Sequence, residues 1–192
     1  MEDITEKFRS LYAKIASPVF LSREAIGGEV PFFIAAYDAR QEIEVQANIP
    51  LLKNKLGTAG IPVVELNLYD IVCDLLEARG GMSVIFDIEA ARTKEKFERA
   101  LRSALNIHER LIPAIADRIS AAEAQVYFLT GVGLVFPYIR SHTVLNNLQS
   151  IARDAPTVIF FPGTYNGQAL NLFGLLKDDN YYRAFDINNI QA

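Results

Sequence analysis

Two hydrophobic periods alternate along the chain. Residues 3–16 carry Ile4, Phe8, Leu11, Tyr12 and Ile15 at spacings of three and four, which lie on one face of a helix. Asp3 is its natural N-cap, with Glu6 three residues on, and Ser17-Pro18 closes it. Residues 30–36 (VPFFIAA) form instead a short, continuous apolar run, the pattern of a parallel strand covered on both faces. Tyr37-Asp38 ends that strand and leads into a helix over 39–57 with Ile43, Val45, Ile49, Leu52 and Leu56. Pro50 is expected to kink or split this helix, because an interior proline removes a hydrogen bond. Gly57 and Gly60 mark its exit. A second run, 61–68 (IPVVELNL), is again followed by Tyr-Asp, here Tyr69-Asp70, and by a helix over 70–79 stopped at Gly80-Gly81. An acid at a helix start satisfies free N–H groups and suits the dipole.

Residues 82–122 read as helical in two or three pieces. Thr93 starts one, Asn106 caps the next and Pro113 bends it. A third strand over 125–130 runs into Gly131-Val132-Gly133, and a helix is expected over 138–153. The fourth strand, 157–161 (TVIFF), ends in the turn Pro162-Gly163-Thr164-Tyr165. A short helix over 168–175 and a final strand over 181–187 complete the order. Strands alternating with helices imply an α/β fold. The expected form is a three-layer sandwich of about five mostly parallel strands with helices on both faces, Rossmann-like or degenerate P-loop-like without a Walker A motif. Residues 1–192 read as one domain, with 82–122 as a helical insertion.

Composition narrows the function. At 51% hydrophobic residues the chain can bury a sizeable core, and twelve Phe with eight Tyr and no Trp make it phenyl-rich. A net charge of −4 argues against a DNA-binding face. The lone Cys73 cannot form an internal disulfide and reads as a buried small hydrophobe. The charged N-terminus lacks a signal-peptide core, and no segment reaches membrane-span length. The expectation is a cytoplasmic protein without membrane contact.

The stretch 126–147 (VYFLTGVGLVFPYIRSHTVLNN) gathers the candidate chemistry. Gly131 and Gly133 follow a strand, where a phosphate can meet helix N–H groups. The dinucleotide fingerprint nevertheless lacks its third glycine, since position 136 is Phe, and no Gly-Lys-Ser/Thr occurs anywhere. The two glycines therefore read first as a tight turn and second as a possible ligand turn. Arg140, Ser141 and His142 are adjacent, with Asn146 one helical turn after His142. Neighbours on a helix point apart, so Ser141-His142 is no catalytic dyad. Tyr138, Arg140, His142 and Asn146 read as partner contacts. Tyr165 and the C-terminal pair Tyr182 and Arg183 join them, being residue types that interfaces favour. His108, on a helix, reads as partly exposed and inert. A hydrolytic site would need Asp38, Asp70 and His142 to converge on a metal, a weak pattern. No catalytic, cofactor or metal site is otherwise indicated.

The strings EVPFFI (29–34), VVELNLYD (63–70), FLTGVGLVFPYIRSHTVLNNLQ (128–149), TVIFFPGTY (157–165) and DDNYYRAFDI (178–187) together resemble the BrxB family of bacterial BREX phage-defence clusters. The similarity extends from about residue 8 to 187. It implies a role in BREX defence as a non-enzymatic component that associates with other BREX proteins. The favoured partner is the PglZ-like alkaline-phosphatase-superfamily protein, and contact with DNA would be indirect, through the complex. The family brings no catalytic residues to carry over. An alternative from another class is a degenerate nucleotide- or nucleic-acid-binding domain using Gly131, Gly133 and Arg140.

Overall fold

A computed structural model describes residues 3–22, 32–177 and 184–190. Helix α1 (Ile4–Ile15) is capped by Asp3, whose carboxylate accepts from the N–H groups of Thr5 and Glu6. The short α2 (Pro18–Leu21) follows, with Ser17 as its cap. Strand β1 (Phe32–Tyr37) leads through a 3-10 turn (Ala39–Gln41), capped by Asp38, into α3 (Glu42–Thr58). Then come β2 (Val63–Asn67), α4 (Leu68–Glu77), α5 (Met82–Ala90) and α6 (Lys94–Leu105). A π turn (Ile107–Leu111) joins α6 to α7 (Ile112–Ser120). Strand β3 (Val126–Thr130), α8 (Ser141–Ile151) and β4 (Thr157–Tyr165) follow. The chain ends in β5 (Leu170–Leu172), β6 (Leu176–Lys177) and β7 (Phe185–Asp186).

Among the described residues the sheet runs β2-β3-β4-β1-β7, every neighbouring pair parallel. An antiparallel extension, β5 and β6, grows from the far end of β4. The apolar runs are explained by burial on both faces. Phe32, Ile34, Tyr127, Leu129, Ile159 and Phe161 face a core built with α4, α6, α7 and α8. Their chain neighbours Phe33, Ala35, Val126, Phe128, Val158 and Phe160 face a second core built with α1, α2 and α3. This is the expected three-layer α/β sandwich. In the helical stretch 82–122, α6 and α7 bury Leu101, Leu105 and Ile115, whereas no side chain of α5 is buried.

Several local expectations change. Helix α3 passes unbroken through Pro50, which lies on the exposed side, where water can take the carbonyl left without a donor. Asn67, not Asp70, caps α4, its Oδ1 accepting from Tyr69 and Asp70 N–H. Asp70 keeps only a place in the first turn. Cys73 is half-buried rather than buried. Helix α8 starts at Ser141, three residues later than expected. The largest correction is at 162–175. The strand does not stop at Phe161 but continues to Tyr165, and β5 and β6 replace the expected short helix. Leu170 and Leu172 alternate inward as strand residues, and Phe173-Gly174 turns the chain with both φ positive. Of the expected first and last strands, Val30 and Pro31, and Tyr181, Tyr182 and Arg183, lie outside the described residues.

Gly163 makes this extension possible. A Cβ there would lie 2.1 Å from the Asn171 carbonyl oxygen and 3.0 Å from the Phe161 ring. Replacing Gly163 with Ala should therefore destabilise the protein by about 2–3 kcal/mol through overpacking. The check is a lower urea midpoint at unchanged slope.

Candidate functional site

Parallel strands send their carboxyl ends to one edge of the sheet, where open α/β folds build sites. Tyr37 and Pro162 are level across β1 and β4. Strand β1 turns away into α3 while β4 runs on into its hairpin, and a cleft of about 510 Å³ opens between them. Tyr37, Asp38, Arg40, Thr164 and Phe173 line it. Three of its polar side chains, Tyr37, Asp38 and Arg40, are already hydrogen-bonded. The Asp38 carboxylate accepts from the Arg40 backbone N–H and from Nε of its guanidinium, both at 3.0 Å. That hydrogen-bonded guanidinium holds Asp38 down at about 2. Tyr37 donates its hydroxyl proton to Glu42 at 2.7 Å, and burial, with this bond, raises its pKa.

The Gly131-Val132-Gly133 turn serves packing. Gly131 has φ +70°, and a Cβ on it would meet Asn67 Oδ1, the α4 cap, at 2.5 Å. A Cβ on Gly133 would meet Pro162 at 2.8 Å and Phe173 at 3.0 Å. Because α8 begins only at Ser141, the turn does not open directly into a helix N-terminus, as a phosphate cradle requires.

The loop between β3 and α8 forms a strip with the hairpin. The Arg140 guanidinium lies 5.9 Å from the Phe136 ring centre in cation–π geometry. Phe136 meets Phe173 edge-on at 6.4 Å. Tyr138 donates to the Leu134 carbonyl at 3.2 Å, and Tyr69 and Cys73 lie close enough to act on it electrostatically. Leu134, Phe173, Leu175 and Leu176 are exposed, Leu175 by 84%. Spacing singled out Tyr138 and Arg140, which sit on this strip, but missed its apolar members. The available signal was the run of Leu and Phe around Phe173-Gly174, where a polar surface loop is the rule.

His142 is half-buried and Asn146 exposed on α8. Tyr165 ties the hairpin down, its hydroxyl donating to the Ala184 carbonyl at 2.6 Å. Tyr182 and Arg183 lie outside the described residues. Asp38, Asp70 and His142 do not converge. Among the described residues no three His, Cys, Asp or Glu side chains come together as metal ligands, and no helix is long and apolar enough to cross a membrane.

Comparison with known proteins gives a consistent picture. A family model described as BREX protein BrxB matches residues 64–187. A Bacillus cereus (strain H3081.97) protein named BREX protein BrxB is 37% identical over 97% of this chain and 98% of its own. A protein of the same name from Escherichia coli O9:H4 (strain HS) is 28% identical over 93% of this chain and 88% of its own. No solved structure matches.

The strip has a titratable reporter. Burial pushes the Tyr138 phenol up to about 12, above the ordinary tyrosine value of about 10. Above pH 10 the unfolded chain would release that proton while the folded ring keeps it. The stability due to neutral Tyr138 is thus complete below pH 10 and drains away as pH rises towards 12. Tyr37, Tyr69 and Tyr127 are raised in the same direction, so Tyr138→Phe should remove part of the alkaline loss. Urea midpoints of both proteins at pH 8 and pH 11 measure it, and identical losses would refute the assignment.

Proposed function

Because this chain belongs to the BrxB family of BREX proteins, we propose that it acts in phage defence as a non-enzymatic adaptor that docks another BREX protein on its carboxyl-edge strip. The exposed run of Leu134, Phe173, Leu175 and Leu176, continued by Phe136, Tyr138 and Arg140, carries this reading. Aromatic, leucine and arginine side chains side by side make a desolvatable centre with a cationic rim, as protein interfaces do. A side chain as exposed as Leu175 contributes nothing to the fold's own core, which favours a partner that covers it. The partner favoured is the PglZ-like alkaline-phosphatase-superfamily protein, and DNA is reached through the complex rather than by this acidic chain.

The adaptor role without catalysis is supported by how the candidate polar groups are used. Asp38 is spent on Arg40, Tyr37 on Glu42 and Tyr165 on Ala184. A nucleotide held at Gly131 and Gly133 finds little room, since both glycines are in close contact with Asn67, Pro162 and Phe173.

Co-expression with the other BREX proteins tests the proposal. The wild-type chain should co-purify with the PglZ-like protein. Leu175→Asp should weaken that association at least about tenfold, the effect of one buried hot-spot side chain, while leaving the thermal midpoint within error. A wild-type chain that stays unbound beside every BREX protein, or a Leu175→Asp chain that binds as well as the wild type, would sink the idea.

A further inference from the structure

On the other flank of Tyr138 and Arg140 lies a pocket of about 400 Å³. One wall comes from the end of α6 and the π turn, with Arg102, Ser103, Leu105, Asn106, Ile107 and His108; the other comes from Tyr138, Arg140 and Thr143. Two guanidinium groups and an imidazole, from segments more than thirty residues apart, thus border one concavity in a chain whose net charge is negative. Two nearby carboxylates offset part of this charge and leave Arg140 as its principal source. Glu98 pairs with Arg102 at 2.5 Å, and Glu109 is bonded to the Asn106 amide at 2.6 Å. Arg102 also donates to the Pro137 carbonyl at 2.9 Å, which fixes it at the rim.

The backbone around the pocket is irregular at two consecutive points. Asn106 holds φ 23° and ψ 93°, outside the regions that residues other than glycine favour. The next five residues form a π turn, a distortion common at functional sites. Such backbone persists where the surroundings enforce it, and it clusters at ligand sites. Here it aims His108 and the end of α6 at the loop that bears Arg140. Arg140 is also the N-cap residue of α8, and no side chain caps that helix, so the positive end of its dipole adds to the cations.

We propose that this pocket binds a nucleoside phosphate, the phosphate between Arg102, His108 and Arg140 and the nucleoside against Tyr138 and Ile107. Guanidinium pairs recognise phosphate oxygens by charge-assisted hydrogen bonds. The volume lies in the range of small-molecule sites, and the apolar wall beside an aromatic ring suits a base. The ligand is either a free nucleotide or the 5′-phosphorylated end of a nucleic-acid strand, since both present the same group. This inference does not rest on the adaptor reading.

Calorimetric titration of the full chain at low salt, with AMP against adenosine and a 5′-phosphorylated tetranucleotide against its 5′-hydroxyl form, tests it. AMP, the phosphorylated strand or both should bind, and their unphosphorylated counterparts should not. Arg140→Ala should weaken binding at least about fivefold, as loss of a charge-assisted contact does, and His108→Ala at least about twofold, as loss of a hydrogen bond does. Arg9→Ala, on α1, should not. Binding of AMP alone assigns a free nucleotide, and binding of the strand alone assigns a strand end. The proposal fails if neither phosphate ligand binds at millimolar concentration, if the unphosphorylated forms bind equally, or if Arg140→Ala and His108→Ala both leave affinity unchanged. Leu175→Asp should keep this binding, which separates the outcome from that of the docking strip.

Discussion

The whole molecule hangs on strand β4. Residues 157–163 are buried without exception, which a strand achieves only with neighbours on both edges and helices on both faces. Strand β3 pairs on one side and β1 on the other. Phe161 and Ile159 fill one core, Phe160 and Val158 the other. Burying four such side chains contributes on the order of 1.5–3 kcal/mol each, and the same atoms fix the level of every carboxyl-end loop. Strand β4 also overshoots the sheet. The Phe173 N–H donates to the Pro162 carbonyl at 2.8 Å, which returns the hairpin onto the loop after β3 and sets Phe173 against Gly133 and Phe136. The exposed apolar strip is therefore a consequence of where the central strand ends.

The layers were legible because double-sided burial leaves a plain trace: uninterrupted apolar runs at 30–36, 126–129 and 158–161 separated by amphipathic stretches. The hairpin was not legible. Pro162-Gly163 has turn composition, yet the proline sits where its missing N–H is tolerated and the glycine is demanded by the Asn171 carbonyl across the pair. Local chemistry reads these residues as a turn, and the tertiary contact with Asn171 overrides it. Asn67 was overlooked as the α4 cap for a related reason. It is the last strand residue and the helix cap at once, so strand and helix share a boundary that pattern reading puts at the acid after it.

For the candidate site, the sequence disclosed the loop but not what surrounds it. Tyr138 and Arg140 are conspicuous by type and position. Their companions Phe173 and Leu175 on one flank, and Arg102 and His108 on the other, lie thirty or more residues away. No spacing rule connects α6 to the loop before α8; that approach is produced by packing Leu101 and Leu105 into the same core as Ile139 and Val144.

Arg140 stands where the two surfaces meet. Its guanidinium lies over Phe136, which is in contact with the hairpin through Phe173, and it also lines the pocket beside His108. A side chain shared in this way cannot be optimised for both at no cost. If a phosphate in the pocket draws the guanidinium off the Phe136 ring, it removes a contact worth about 0.5–1 kcal/mol at an exposed site and alters the cationic rim that a docked protein would meet. Any such effect must run both ways, because the coupling free energy between two bound ligands has one value. Loss of the Phe136 contact alone corresponds to linkage of a few-fold, not an all-or-none switch.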